Sequence, residues 1–252
     1  MEFSGLVRKL ITISKKEAKI DRRAGVPLET KLVNDIKHYP HAFVLWCVVN
    51  LQMRADKAVL IPWEISREIG GFSMKKLLKL SLADYKRIFR KRHLHRFNEK
   101  MATNFYKAVQ RIHSEYQDDA SRIWEKKPSS ATVVRKFLEF EGVGIKLASM
   151  ATNILVRQHG IPIADKINID ISPDVHVQRV FMRLGLVNNG CSREVVLYKA
   201  RELNPRYPGI FDRATFFIGY NYCHPQHPKC DICPMKDLCL HFCSSKHRKI
   251  GK

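Results

Sequence analysis

FLEFEGVGIKLASMATNIL, residues 137–155, decides how the chain is read. Val133, Val134, Phe137 and Leu138 recur at helical spacing around its start, and Leu147, Met150, Ala151 and Ile154 do so beyond Gly144. Gly142-Val143-Gly144 is too short and too rich in glycine to continue either helix. The stretch therefore predicts helix, tight hairpin, helix, with the glycines supplying positive φ or a close backbone approach that a Cβ resists. Such a hairpin aims backbone N–H groups at one spot, at the positive end of the second helix. That is an anion site, and a DNA phosphate fits it.

Lys146 falls in the first turn of the second helix. A cation there opposes the helix dipole at a cost of up to about 1 kcal/mol. A nucleophilic lysine must be neutral, and a positive field with partial desolvation favours the neutral form. Further on comes DVHVQRVFMRLGL, residues 174–186. Pro173 turns the chain into an amphipathic helix (Val175, Arg179, Val180, Leu184), with Asp174 near its N-cap. Taken singly, GVG is an ordinary loop, the lysine a phosphate contact and the aspartate a helix cap. Their order in one chain is what points to chemistry.

With 252 residues the chain can bury a substantial core in one large or two small domains. Lysine and arginine number 45 against 24 acidic residues, a net charge of +21. An excess of this size on a chain of ordinary hydrophobic content implies a polyanionic partner, not a disordered basic tail. No apolar run is long enough to cross a membrane, and the N-terminus lacks the pattern of a cleaved leader. These features predict an intracellular protein with no membrane partner.

Working outward, residues 1–31 read as a basic amphipathic helix (Phe3, Leu6, Leu10, Ile13) and a linker ending near Pro27. His41 to Leu51 is apolar on nearly every side, the mark of a central core helix. Ser73 starts a short helix, Ser81 with Asp84 starts another like a capping box, and Asn98 starts a longer one. Arg87 to Phe97 mixes dense positive charge with apolar residues, which suits phosphate binding with one wedge side chain. Ser130 caps the helix leading into the hairpin; Ser192 and Asp212 start two more. No strand pattern and no internal repeat occurs.

Five of the seven cysteines crowd the C-terminus, with Cys47 and Cys191 isolated. In a reducing compartment such a group suggests metal rather than disulfides. Cys223, Cys230, Cys233 and Cys239 are spaced C-x6-C-x2-C-x5-C, with Cys243 outside the pattern. One close pair with two flanking cysteines is uneven for zinc, which favours two close pairs, and suits an iron–sulfur cluster. Lys229, Lys236 and the tail 246–252 surround the loop with charge.

G-V-G-x-K followed by D-x-H-x-x-R-V, with these cysteines after them, resembles the helix-hairpin-helix DNA glycosylases, and among them the endonuclease III branch. The resemblance covers about residues 30–240. It implies an all-α, two-lobed fold: a helical bundle over 32–160 ending in the hairpin, and a second lobe of 1–31 plus 161–252 carrying a 4Fe-4S cluster loop at 223–239. It implies that Lys146 attacks the sugar and Asp174 assists, each on one wall of a cleft. The cluster ligands would be Cys223, Cys230, Cys233 and Cys239. DNA contacts would come from Gly142, Val143 and Gly144, from His176 and Arg179, and from Gln52 on a loop entering the duplex. The wedge would be Leu94 or Arg96. One departure stands out: the loop between lysine and aspartate is longer than the family pattern, and its ADKINIDISP adds two carboxylates, Asp165 and Asp170, near the site. The activity implied is that of a monomeric base-excision DNA glycosylase with AP lyase activity. It acts on double-stranded DNA bearing a damaged, mismatched or abasic nucleotide, with oxidised pyrimidine leading. A monofunctional uracil or thymine mismatch glycosylase and a non-catalytic iron–sulfur DNA-binding protein are the alternatives.

Overall fold

Apolar periodicity of about 3.6 residues runs through the chain, and every regular element among the described residues is a helix. The structure, a computed structural model, describes residues 4–20 and 28–242. In chain order the α-helices are α1 (Ser4–Ile20), α2 (Lys31–Asn34), α3 (Pro40–Val49), α4 (Ala55–Ala58), α5 (Ile61–Ile69), α6 (Met74–Leu77), α7 (Leu82–Lys91), α8 (Asn98–Tyr116), α9 (Ser130–Leu138), α10 (Ile145–Arg157), α11 (Val175–Arg183), α12 (Arg193–Leu203) and α13 (Asp212–Asn221). They divide into a hairpin unit, residues 25–164, and a cysteine unit, residues 1–24 with 165–252. Phe3, Pro27, Cys243 and the basic tail lie outside the described residues. Among the described residues, no helix is long and apolar enough to cross a membrane.

The hairpin unit is built around α3. Pro40 opens it at the one position where a missing N–H costs nothing. All ten of its residues are buried, as its unbroken apolar character requires. The Phe43 ring meets Trp124, Phe137 and His159 edge-on at 6.0, 6.4 and 5.7 Å. Burying one such side chain is worth about 1.5–3 kcal/mol. The capping box of α7 is complete: the Ser81 hydroxyl accepts from Asp84 N–H, and the Asp84 carboxylate accepts from Ser81 N–H. This fixes the turn that lays Tyr85 and Phe89 of α7 against Phe105 of α8. The cap of α9 is Ser129 rather than Ser130. Ser129 has the extended backbone an N-cap needs (φ −67°, ψ 154°) and accepts from Thr132 N–H, while Ser130 is buried in the first turn.

In the cysteine unit, Leu6 and Leu10 of α1 join Val177, Val180 and Phe181 of α11 and Ala214 and Ile218 of α13 in one core. Helices α11 and α13 pack closely because Gly219 has no side chain: a Cβ there would run into His176. The ADKINIDISP segment is built into this core. Ile169 and Ile171 are buried, the Ile169 carbonyl accepts from Gly209 N–H at 2.7 Å, and Ser172 N–H donates to Asp212 at 2.9 Å. Asp170 is buried and takes both ends of the Arg201 guanidinium at 2.7 Å. That carboxylate, one of the two the sequence reading set near the site, is committed to an internal ion pair. The other, Asp165, accepts from Ile167 N–H in its own loop.

Candidate active site and cysteine loop

The hairpin forms as the glycine pattern predicts, but its two glycines do different work. Val143 N–H closes the turn on the Phe140 carbonyl at 3.0 Å. Gly142 has φ +87°, and a Cβ there would collide with the amide nitrogen of Asn104 on α8. Gly144 has φ −92° and ψ 176°, ordinary extended backbone, and open space where its Cβ would stand. The protein itself requires a glycine at 142 but not at 144. Val143 is buried and anchors the hairpin from inside. No side chain caps α10, so the hairpin presents backbone at a helix N-terminus. Lys146 is exposed as the second residue of α10.

Asp174 is the N-cap of α11, and its Oδ1 accepts from His176 and Val177 N–H, both at 2.9 Å. The capping bonds fix the carboxylate at the positive end of that helix. His176 lies on Gly219 with its ring beside the stacked pair Phe216 and Tyr220, at 5.7 and 6.0 Å. Arg179 donates to His176 Nδ1 at 2.9 Å and to the carbonyls of Cys223, Gly219 and Val175 at 2.5, 3.0 and 3.1 Å. Its guanidinium thus ties α11 to α13 and to the first cysteine of the loop. That internal task differs from the phosphate contact its motif position suggests.

The structure separates the two wedge candidates. Leu94 is 6% exposed and belongs to the core of the hairpin unit, so it does not project. Arg96 is exposed and donates to Gln52 Oε1 at 2.5 Å, and its guanidinium stacks 4.7 Å from the ring of the exposed Phe97. Gln52 is itself exposed on a left-handed backbone, φ 50°.

Cys223, Cys230, Cys233 and Cys239 line one recess, closed by Arg183, Tyr222 and Phe242. The fit of a cluster can be tested on the thiols themselves. Burial raises the Cys230 thiol, and neighbouring Cys239 and Cys223 raise it further, so the four approach one another enough to repel as thiolates. Burial raises Cys233 as well. A cationic group must occupy such a set for it to ionise. Four thiols lining one recess fit a polynuclear cluster, in which each sulfur takes its own iron. Arg183, which sequence reasoning missed, pins the loop by donating to the His224 and Pro225 carbonyls at 2.7 and 2.9 Å and to Cys223 Sγ at 3.4 Å. Its only signal in the sequence is its place one turn after Arg179.

Residues 223–239 match the iron–sulfur binding domain of endonuclease III. The chain is 26% identical over 140 residues to DEMETER-like protein 3 of Arabidopsis thaliana, covering 48% of this chain and 12% of that protein. It is 29% identical over 109 residues to endonuclease III of Rickettsia felis, covering 43% and 46%. The matched segments span less than half the length of these curated relatives. A solved structure of a trapped endonuclease III–DNA covalent intermediate superposes with a TM-score of 0.61 at 18% identity, over 95% of this chain and 98% of that one. The match over residues 223–239 makes an iron–sulfur cluster the cofactor of the C-terminal loop, and the fold of the chain is that of the solved endonuclease III structure.

Proposed function

We propose that the protein is a base-excision DNA glycosylase with AP lyase activity, acting on duplex DNA through an amine nucleophile. The observation that carries this reading is Lys146, exposed in the first turn of a helix that an uncapped glycine hairpin introduces. The net charge of +21 supports a polyanionic partner. Chemistry at the glycosidic bond requires the nucleotide out of the stack, at a cost of a few kcal/mol that is least for a poorly paired base.

In the proposed reaction the neutral Lys146 amine attacks C1′ of the sugar. The bond from C1′ to the base breaks, and the base leaves with the electron pair. The amine loses its proton, the ring C1′–O4′ bond opens, and a protonated imine joins Lys146 to C1′. Asp174 stabilises the positive charge developing on the sugar and carries protons between the amine, the ring oxygen and the leaving base. The imine makes the C2′ proton acidic; its removal expels the 3′-phosphate, and water then releases Lys146. The cluster, when bound, fixes the fold of the loop between Cys223 and Cys239. That loop carries the exposed Lys229 and Lys236 toward solvent, where a phosphate backbone can meet them.

Oxidised pyrimidine is the leading substrate. The test is base release and strand nicking on duplexes holding thymine glycol, uracil or thymine opposite guanine, 8-oxoguanine, or an abasic site. Release with nicking on thymine glycol is the expected result. Release without nicking makes the enzyme monofunctional, and nicking of the abasic site alone makes it a lyase. Neither activity on any duplex, with binding intact, overturns the reading in favour of a non-catalytic DNA-binding protein.

A further inference from the structure

Asn50 ends α3, a helix whose ten residues are all buried, and its N–H donates to the Cys47 carbonyl at 3.3 Å as the C-cap. The backbone just beyond it is fixed as well. The Leu51 carbonyl accepts from His95 Nε2 at 3.0 Å, and His95 is 3% exposed. His95 Nδ1 accepts from Phe97 N–H at 3.0 Å, so the ring proton is on Nε2 and the imidazole is neutral. Asn50 therefore stands on a backbone held from both sides, the preorganisation that a recognition residue needs.

Its side chain, by contrast, makes a poor bond. Nδ2 donates to Met150 Sδ on α10 at 3.8 Å, and among the described residues that is its one hydrogen bond. A thioether is a weak acceptor, while a primary amide offers two donor hydrogens and an acceptor oxygen. Most of the capacity of this half-buried amide is unspent. Met150 follows Lys146 by four residues, on the same face of α10. Helical side chains lean toward the helix N-terminus, which carries the Met150 sulfur over the turn that holds Lys146. The Asn50 amide thus borders the same strip of α10 as the proposed nucleophile, and both belong to the hairpin unit.

We propose that Asn50 is a specificity-determining residue, which reads the hydrogen-bonding edge of the displaced base beside Lys146. The proposal rests on the glycosylase reading and names the class of base that it takes. Nδ2 exchanges its weak bond to sulfur for a carbonyl of the base, and Oδ1 accepts from the ring N–H next to that carbonyl. The edge that fits is an N–H beside a C=O, as N3 and its neighbouring carbonyls present in thymine glycol and in uracil. One weak bond is given up and two stronger ones are made.

The test compares base release from a duplex holding thymine glycol with nicking of the same duplex holding an abasic site, where no base is left to read. Asn50→Leu is expected to slow base release about tenfold and to keep nicking of the abasic site within about twofold. A residue that only supports the fold would lower both alike. A second comparison uses thymine glycol methylated at N3, which lacks the ring N–H. The methyl group also weakens base pairing, but that acts on both proteins equally and cancels in their ratio. Methylation is expected to narrow the gap between wild type and Asn50→Leu from about tenfold to about twofold. Asn50→Ala, which removes the amide without adding bulk, gives the same pair of comparisons should Asn50→Leu fail to fold. Equal losses on the two duplexes, release at the wild-type rate, or a gap that methylation leaves unchanged each overturn the role of Asn50. A wild-type protein that releases no base overturns the glycosylase reading itself, and this proposal with it.

Discussion

Gly142 and Gly144 look interchangeable in the sequence, yet their backbones separate them. Alanine at 142 must adopt φ +87° and press its Cβ into the buried Asn104 amide. Strain of that kind costs about 1–3 kcal/mol. Alanine at 144 meets nothing within the protein. Gly142→Ala is therefore expected to lower the urea midpoint clearly, and Gly144→Ala to change stability by less than about 0.5 kcal/mol. If backbone at 144 receives a phosphate, Gly144→Ala weakens duplex binding despite its unchanged stability. Equal stability losses in the two variants would contradict this division. The cysteine loop, residues 223–239, was legible because the spacing of its cysteines is itself the signal. His95 was not: its partners are two main-chain groups, one of them 44 residues away, and main-chain partners leave no mark in a sequence.

At the scale of elements, helices announced themselves through caps and periodicity. The Ser81–Asp84 box and the apolar run of α3 are cases where local chemistry and tertiary packing agree. Helices α4 and α5 went unread between Met53 and Gly70. Pro62 looks like a break there, but it sits in the first turn of α5, where proline is tolerated. The wedge was ambiguous in sequence for a related reason: Leu94 and Arg96 share a basic segment, and only packing shows that Leu94 turns inward. Two buried histidines give the hairpin unit a pH dependence. Burial holds both His41, whose Nε2 donates to the Phe72 carbonyl at 2.6 Å, and His95 below the ordinary histidine value of 6.5. The unfolded chain then binds more protons than the folded one below pH 6.5, so stability is full above that value and falls as pH drops toward the folded values. The slope is at most about 1.4 kcal/mol per pH unit for each histidine. Urea unfolding at a series of pH values from neutral to mildly acidic should show the fall, and His41→Gln should flatten part of it. A midpoint independent of pH across this range would mean that neither histidine is held neutral.

The whole molecule joins a basic surface, a glycine hairpin and a cysteine loop in one chain. Its fold class was readable because each of these carries its own sequence signature. The long 164–173 segment was not, because burial of Ile169 and Ile171 and the Asp170–Arg201 pair depend on residues far along the chain. Sodium borohydride trapping on a duplex with an abasic site tests the proposed role of Lys146 as the nucleophile. Reduction of the imine locks protein to DNA, and the product is read on a denaturing gel. Wild-type protein is expected to give the covalent product, and Lys146→Gln to give none while binding the same duplex within about twofold. A Lys146→Gln protein that still traps would contradict the account, because another amine would then be doing the chemistry.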